Sequence, residues 1–374
     1  MNTYEKGQVI IEGNRIYWLD NLRTFMIFLV VLCHAGWVYE SSGIGAYFWI
    51  VDDPSTNNLS GIINIILDIF VMPTMFFISG YFTPVSVENR NGWVFVKSKF
   101  KRLILPWIVA VLTLIPIYKI IFLYSRNLAQ ESWTTYFHWS NGIFSQNWLW
   151  FLPVLFLFDV LYLLVSKAKI RIPNISLKIA VLIIFLVCLL YSFCMSFFNL
   201  RGWTKTALID FQNERILIYL LMFLLGSMCY KRKIFESKWK NRKLDIILHC
   251  VGWIPINLYI FLVIYSLVKP GDYIISRIFD TLLLQLNYVL SLAYLLYTMI
   301  TTFRRYLNKQ GKIWTELNKN SYGVYIIHVV VLGGLALTML NTAIPSLLKY
   351  LIVAVSKYIA CNLIISFYRK VIAM

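Results

Sequence analysis

A histidine, an arginine and an aspartate set into an apolar stretch are the residues of this sequence best placed to do chemistry. Asp20 and Arg23 lie three apart, so on a helix they share a face and can pair. From Arg23 to His34 is about three helical turns, roughly 16 Å along the axis, and Asp20 to His34 is near the same face. Ionisable groups inside a span cost several kcal/mol unless they are paired or face water. A stripe of three therefore faces protein or water, not lipid. Imidazole suits general-base work near neutral pH. The plainer reading is an Asp20–Arg23 anchor snorkelling to the interface, with His34 a hydrogen-bonded core residue.

Two further groups have spacing to match. Lys99 and Arg102, three apart in FVKSKFKRLILP, could grip phosphates as a point charge and a planar donor fork, or simply be loop charge. Ser321, Tyr325 and His328 fall on one face, as a packed polar seam or as part of a site. No Ser–His–Asp set with evident geometry exists. Asp68, Asp159 and Asp280 are each expected to pair with a basic group on another helix. Glu214 and Arg215 read as interfacial, His249 as structural and His138 as solvated.

The elements that hold these residues follow from composition. Of 374 residues, 59% are hydrophobic and 14% charged, far from a soluble domain. The fold class is all-α, a polytopic membrane protein forming a single domain over residues 1–374. Apolar runs of spanning length occur at about 16–38, 59–82, 103–124, 148–166, 175–198, 214–230, 245–268, 277–300, 321–340 and 345–367, giving ten transmembrane helices. The polar N-terminus has no h-region, so no cleaved signal peptide is expected.

Loop charge sets the orientation. With the N-terminus in the cytoplasm, alternate loops hold 24 Lys and Arg on the inside against 5 on the outside. Both termini are therefore expected to be cytoplasmic. The net charge of +18 reflects this bias and not nucleic acid. The six cysteines lie in apolar stretches and read as small hydrophobes. No metal site is expected from four scattered histidines. The outer segments 39–58 and 125–147 are polar and aromatic, as interfacial anchors or as a stacking platform for a sugar.

Taken together, the motifs resemble the acyltransferase-3 family of integral-membrane carbohydrate O-acyltransferases. The resembling pieces are Asp20-Asn21-Leu22-Arg23 with ten residues to His34, Met72 to Phe82 (MPTMFFISGYF), the basic run Lys99 to Arg102 before Leu105-Pro106, Trp148 to Leu152 (WLWFL), and Ser321-Tyr322-Gly323 through His328. They stand in the family's order over nearly the whole chain. One departure is that Lys99 and Arg102 stand where many members have two arginines. The resemblance implies transfer of an acetyl or succinyl group from cytoplasmic acyl-CoA, acetyl-CoA first among them, to a hydroxyl of an extracytoplasmic envelope glycan. It also implies a plasma (inner) membrane location and no bound cofactor. On this reading His34 is the general base, Asp20 orients Arg23, and Lys99, Arg102 and Arg23 lie at the donor's nucleotide end. Tyr325, His328 or a backbone N–H would stabilise the oxyanion. A polysaccharide or lipid-linked sugar exporter is the competing class, and a sensor or scaffold the third.

Overall fold

The computed structural model describes residues 16–43, 45, 48–132, 134–135, 146–168, 175–206, 208–236 and 242–373. Residues 133 and 136–145 of the outer segment 125–147, His138 among them, lie outside the described residues. Helices dominate, in the order α1 (Tyr17–Tyr39), α2 (Asn58–Glu88), α3 (Gly92–Lys99), α4 (Leu105–Ser125), α5 (Phe151–Lys167), α6 (Leu177–Phe197), α7 (Ile216–Lys231), α8 (Arg242–Val251), α9 (Trp253–Val268), α10 (Arg277–Tyr306), α11 (Lys312–Met339) and α12 (Ser346–Ala373). Among the described residues nine helical segments are long and apolar enough to cross a membrane, with α3–α4 and α8–α9 each counting as one. The remaining expected span, the sixth, is α7, which is apolar but has only 16 residues. The ten apolar runs of the sequence thus all appear as helices. They form a bundle in which α1 packs on α2, α11 and α12.

Side-chain caps fix several helix starts. Asn57 accepts from the Ser60 amide, Ser176 from Ile179 and Ser276 from Phe279. Between α3 and α4 the chain takes a π-turn, Phe100–Ile104, followed by Pro106 in the first turn of α4. Proline has no N–H, so the Arg102 carbonyl four residues back loses its helical donor. The Tyr322 hydroxyl of α11 donates to that carbonyl at 2.6 Å. A sequence feature that breaks the helix thereby also ties the basic run to α11.

The most extensive helix contact is between α2 and α7. It depends on two glycines whose backbones meet the partner helix. A Cβ on Gly80 would lie 1.9 Å from the Phe223 carbonyl oxygen, and one on Gly226 would lie 2.0 Å from that of Phe77. Backbone atoms cannot step aside as a side-chain tip can. Gly226→Ala should therefore force the helices apart at a cost of about 3 kcal/mol, seen as a lower melting temperature and loss of monodisperse protein in detergent.

A second fixed point joins the basic run to α5. Lys99 Nζ lies 2.9 Å from Asp159 Oδ2, and Thr83 Oγ1 donates to Asp159 Oδ1 at 2.7 Å. Asp159 is fully buried, while Lys99 keeps 21% of its side-chain surface open. Asp159→Ala leaves a half-buried ammonium unpaired and should cost about 3 kcal/mol, the lower end for a broken buried pair. Adding Lys99→Met should recover most of that loss in the same melting assay.

Two expectations need correction. The segment after α1 is not a layer of interfacial anchors: Trp49, Ile50 and Val51 are buried, and Asp53 makes a fully buried ion pair with Lys349 at 3.0 Å. Arg126 Nη2 donates to the Trp49 carbonyl at 3.1 Å, and the Tyr118 hydroxyl to that of Phe48. This segment therefore folds into the bundle mouth. Arg215, read as interfacial, has its side chain buried against Asp68. Between α6 and α7 a short antiparallel hairpin, β1 (Trp203–Thr204) with β2 (Phe211–Gln212), was not anticipated. Asp210 pins it by accepting from the amides of Gln146 and Thr206, both at 3.0 Å. Burial pushes the Asp210 carboxyl above the usual carboxylate range, and those two donors oppose the shift.

Candidate active site

The site is built on α1. The motif Asp20-Asn21-Leu22-Arg23 divides its work by face. Asn21 is fully buried and donates to the carbonyls of Leu307 and Lys309 at 2.8 and 3.1 Å, and it accepts from Asn318 Nδ2 at 2.9 Å. Asn318 in turn accepts from Thr24 Oγ1 at 2.6 Å. This network sets the rotation of α1 against the α10–α11 link. It turns Asp20 and Arg23 to a more open face, where they pair at 3.3 Å with 15% and 29% of their side chains exposed.

Three turns on, His34 meets His328. Nδ1 of His34 lies 2.6 Å from Nε2 of His328, and the two rings are nearly parallel, with centroids 4.9 Å apart. The i, i+4, i+7 face of α11 thus does deliver His328 to the α1 stripe. Trp49 closes the other side, its ring centroid 4.8 Å from that of His34, with Nε1 donating to the His34 carbonyl at 2.9 Å. His34 therefore points into the protein and is half-buried, while His328 is fully buried.

Hydrogen-bond logic sets the tautomers. Nδ1 of His328 is 2.7 Å from the Tyr325 carbonyl, which can only accept, so that nitrogen carries the proton. Its Nε2 is then the acceptor, and Nδ1–H of His34 must donate to it. In the neutral pair Nε2 of His34 keeps its lone pair. His328 thus orients the ring and leaves its second nitrogen outside the pair.

The other residues of the ninth span have partners. The Tyr325 hydroxyl donates to the Trp148 carbonyl at 2.5 Å, and Trp148 Nε1 returns a bond to the Ile326 carbonyl at 2.9 Å. Ser321 Oγ donates to the Asn318 carbonyl in its own helix at 3.0 Å. Neither touches His34. Arg102 is exposed, and its charge is felt together with those of Arg23 and Arg90. The two guanidiniums expected to meet phosphates therefore lie within electrostatic reach of one another, and Lys99 is held on Asp159.

Sequence reading passed over Lys357. This side chain of α12 is fully buried, and its Nζ donates to the Val31 carbonyl at 2.5 Å. Among the described residues no carboxylate lies within ion-pair distance of it. Its charge is felt at Cys33, His34 and His328. Lys349 and Lys357 sit within the last apolar run, where the rule that a charge inside a span marks function applies to them as it did to Asp68 and Asp159.

An open cavity of 1260 Å³ lies between α6, α7, α8 and α10, walled by Phe77, Cys188, Met222 and Leu296 with Arg304 and Arg305 at one end. His34 does not line it. Among the described residues no three His, Cys, Asp or Glu side chains gather as a metal site would need.

The model of the acyltransferase-3 family, an acyltransferase domain, matches residues 16–366. The chain belongs to this family. It is therefore an acyltransferase of the multi-pass membrane type. No curated protein and no solved structure matches it.

Proposed function

We propose that this acyltransferase moves an acetyl or succinyl group from acyl-CoA on the cytoplasmic side to a hydroxyl of an envelope glycan on the other side, in the plasma membrane, with both chain termini cytoplasmic. The observation that carries the reading is the His34–His328 pair, which leaves one lone pair on a half-buried ring in line with Arg23. Membership in an acyltransferase family favours this reading over export.

The nucleotide end of acyl-CoA rests near Arg102 and Arg23, whose forks suit phosphate oxygens. Asp20 keeps Arg23 in place. The pantetheine arm lies along the α1 stripe, and the roughly 16 Å from Arg23 to His34 sets its reach. His34 Nε2 takes the proton of the acceptor hydroxyl as its oxygen attacks the thioester carbonyl. The C–S bond then breaks, and the imidazolium returns the proton to the departing thiolate. Acyl-CoA and alcohol become ester and CoA, with no other reactant needed. Charge that develops on the carbonyl oxygen, or on sulfur, is offset by the buried Nζ of Lys357, a donor in a site of low dielectric. Tyr325 and His328, the earlier candidates for that task, are engaged with Trp148 and His34.

Mass spectrometry of envelope glycans from cells with and without the protein tests the reading: an acyl mass increment should be lost when the protein is absent. Arg102→Ala should raise the KM for acetyl-CoA about tenfold, the weight of one charge-assisted contact, with a smaller change in kcat. The measurement is CoA release by the purified protein.

A further inference from the structure

Asp68 sits in the middle of α2, between buried Leu67 and Ile69, yet half of its side chain is open. Three other helices surround it. Arg215, at the head of α7, reaches Asp68 Oδ2 at 3.1 Å and is itself only 11% exposed. Its guanidinium lies over the Tyr288 ring of α10, 3.7 Å from the centroid, and shares a hydrogen bond with Tyr259 of α9. An ionised carboxylate opening onto hydrocarbon would cost several kcal/mol. Its open side is a space for water or a polar ligand. Two polar atoms beside it, Arg215 Nε and the Tyr288 hydroxyl, are buried and have no hydrogen-bond partner.

This space stands level with the proposed base. Gly36 of α1 packs directly on Asn64, whose Oδ1 would lie 2.5 Å from a Cβ there. Asp68 is one turn further along α2, and in the antiparallel α1 the matching position is one turn back, at Leu32 and Cys33. The Asp68 charge is indeed felt at Cys33, the neighbour of His34 in sequence. The acidic group is thus one helix face round from the imidazole.

The route in leads from the end of the bundle opposite the basic run. With 16 residues α7 is about 24 Å long, against roughly 30 Å for the hydrocarbon core, and Arg215 stands at its N-terminal head. The hairpin β1–β2 stands just before that helix. Its Trp203, 46% exposed, meets Trp150 edge to face at 5.5 Å. Trp150 stacks on Tyr219, which lies one turn from Arg215, at 5.6 Å. Aromatic rings leading to a carboxylate–guanidinium pair suit a polyhydroxylated ring: the aromatic faces cover its C–H surface, while the pair accepts from one hydroxyl and donates to the next.

We propose that Asp68 and Arg215, approached past Trp203, form the acceptor subsite that binds adjacent hydroxyls of a sugar and holds a third beside His34. This rests on the reading of acyl transfer to a glycan. The test uses purified full-length protein, acetyl-CoA, and the total glycan and glycolipid extract of cells lacking the protein, with CoA release as the readout. Asp68→Asn and Arg215→Lys should each raise the KM for the extract about tenfold or more, while the KM for acetyl-CoA stays within about twofold. Trp203→Ala, on the outer hairpin and outside the bundle core, should raise the KM for the extract about threefold, and it serves if the buried variants fail to fold. An unchanged KM for the extract in the variants that fold, against a wild type that responds to it, overturns the subsite alone. A wild type whose CoA release ignores the extract overturns the glycan reading and the subsite with it.

Discussion

In cells carrying His34→Ala, acylation of the proposed envelope-glycan acceptor should fall by roughly a thousandfold, to the background of cells lacking the protein, while the variant protein stays in the membrane. The size of the loss follows from removing a positioned general base. His34 is half-buried and packs between Trp49 and His328, so truncation leaves a gap beside those two rings within the bundle. Near-normal acylation in this variant would remove the base assignment. Quantitative mass spectrometry of the glycan, with an immunoblot of the membrane fraction, reads both quantities at once.

Lys357→Met is expected to move activity and stability in opposite directions. The ammonium is fully buried, and its one hydrogen bond among the described residues is to the Val31 carbonyl. Replacing such a cation with an apolar side chain of similar length removes a desolvation cost that no ion pair offsets. The melting temperature in detergent should rise. Turnover should fall by roughly a hundredfold, because the cation offsets negative charge only as the thioester is attacked. A purely structural Lys357 would instead give a variant of lower stability and near-normal turnover. Groups kept at a cost in stability are the ones function selects.

Much of this could be read from the sequence because the bilayer restricts the choices. Twenty apolar residues in a row can only be a helix there, so the ten runs and their order followed from composition. The alignment of Asp20, Arg23 and His34 followed from helical period, and His328 from the i, i+7 step within its own span. Pairing between spans was harder. Nothing in spacing says that Asp159 meets Lys99, or that Arg215 turns inward to Asp68, because each depends on which helices touch. The segment from Phe48 to Asp53 misled for a related reason. Its tryptophan and acids have the composition of an interfacial loop, and only Lys349 on α12 and Arg126 after α4 show that it is drawn into the bundle. Lys357 was legible and was missed: it stands between apolar residues in a run long enough to span, where its charge alone should have drawn notice.

The central claim is that donor and acceptor reach one imidazole from opposite sides of the membrane. Sealed inverted vesicles containing the protein test it most directly, with labelled acetyl-CoA outside and the unacylated glycan extract trapped in the lumen. The account predicts label on the lumenal glycan and free CoA outside, with neither in vesicles carrying His34→Ala. Transfer that requires donor and acceptor on the same side, or that persists without His34, would contradict it.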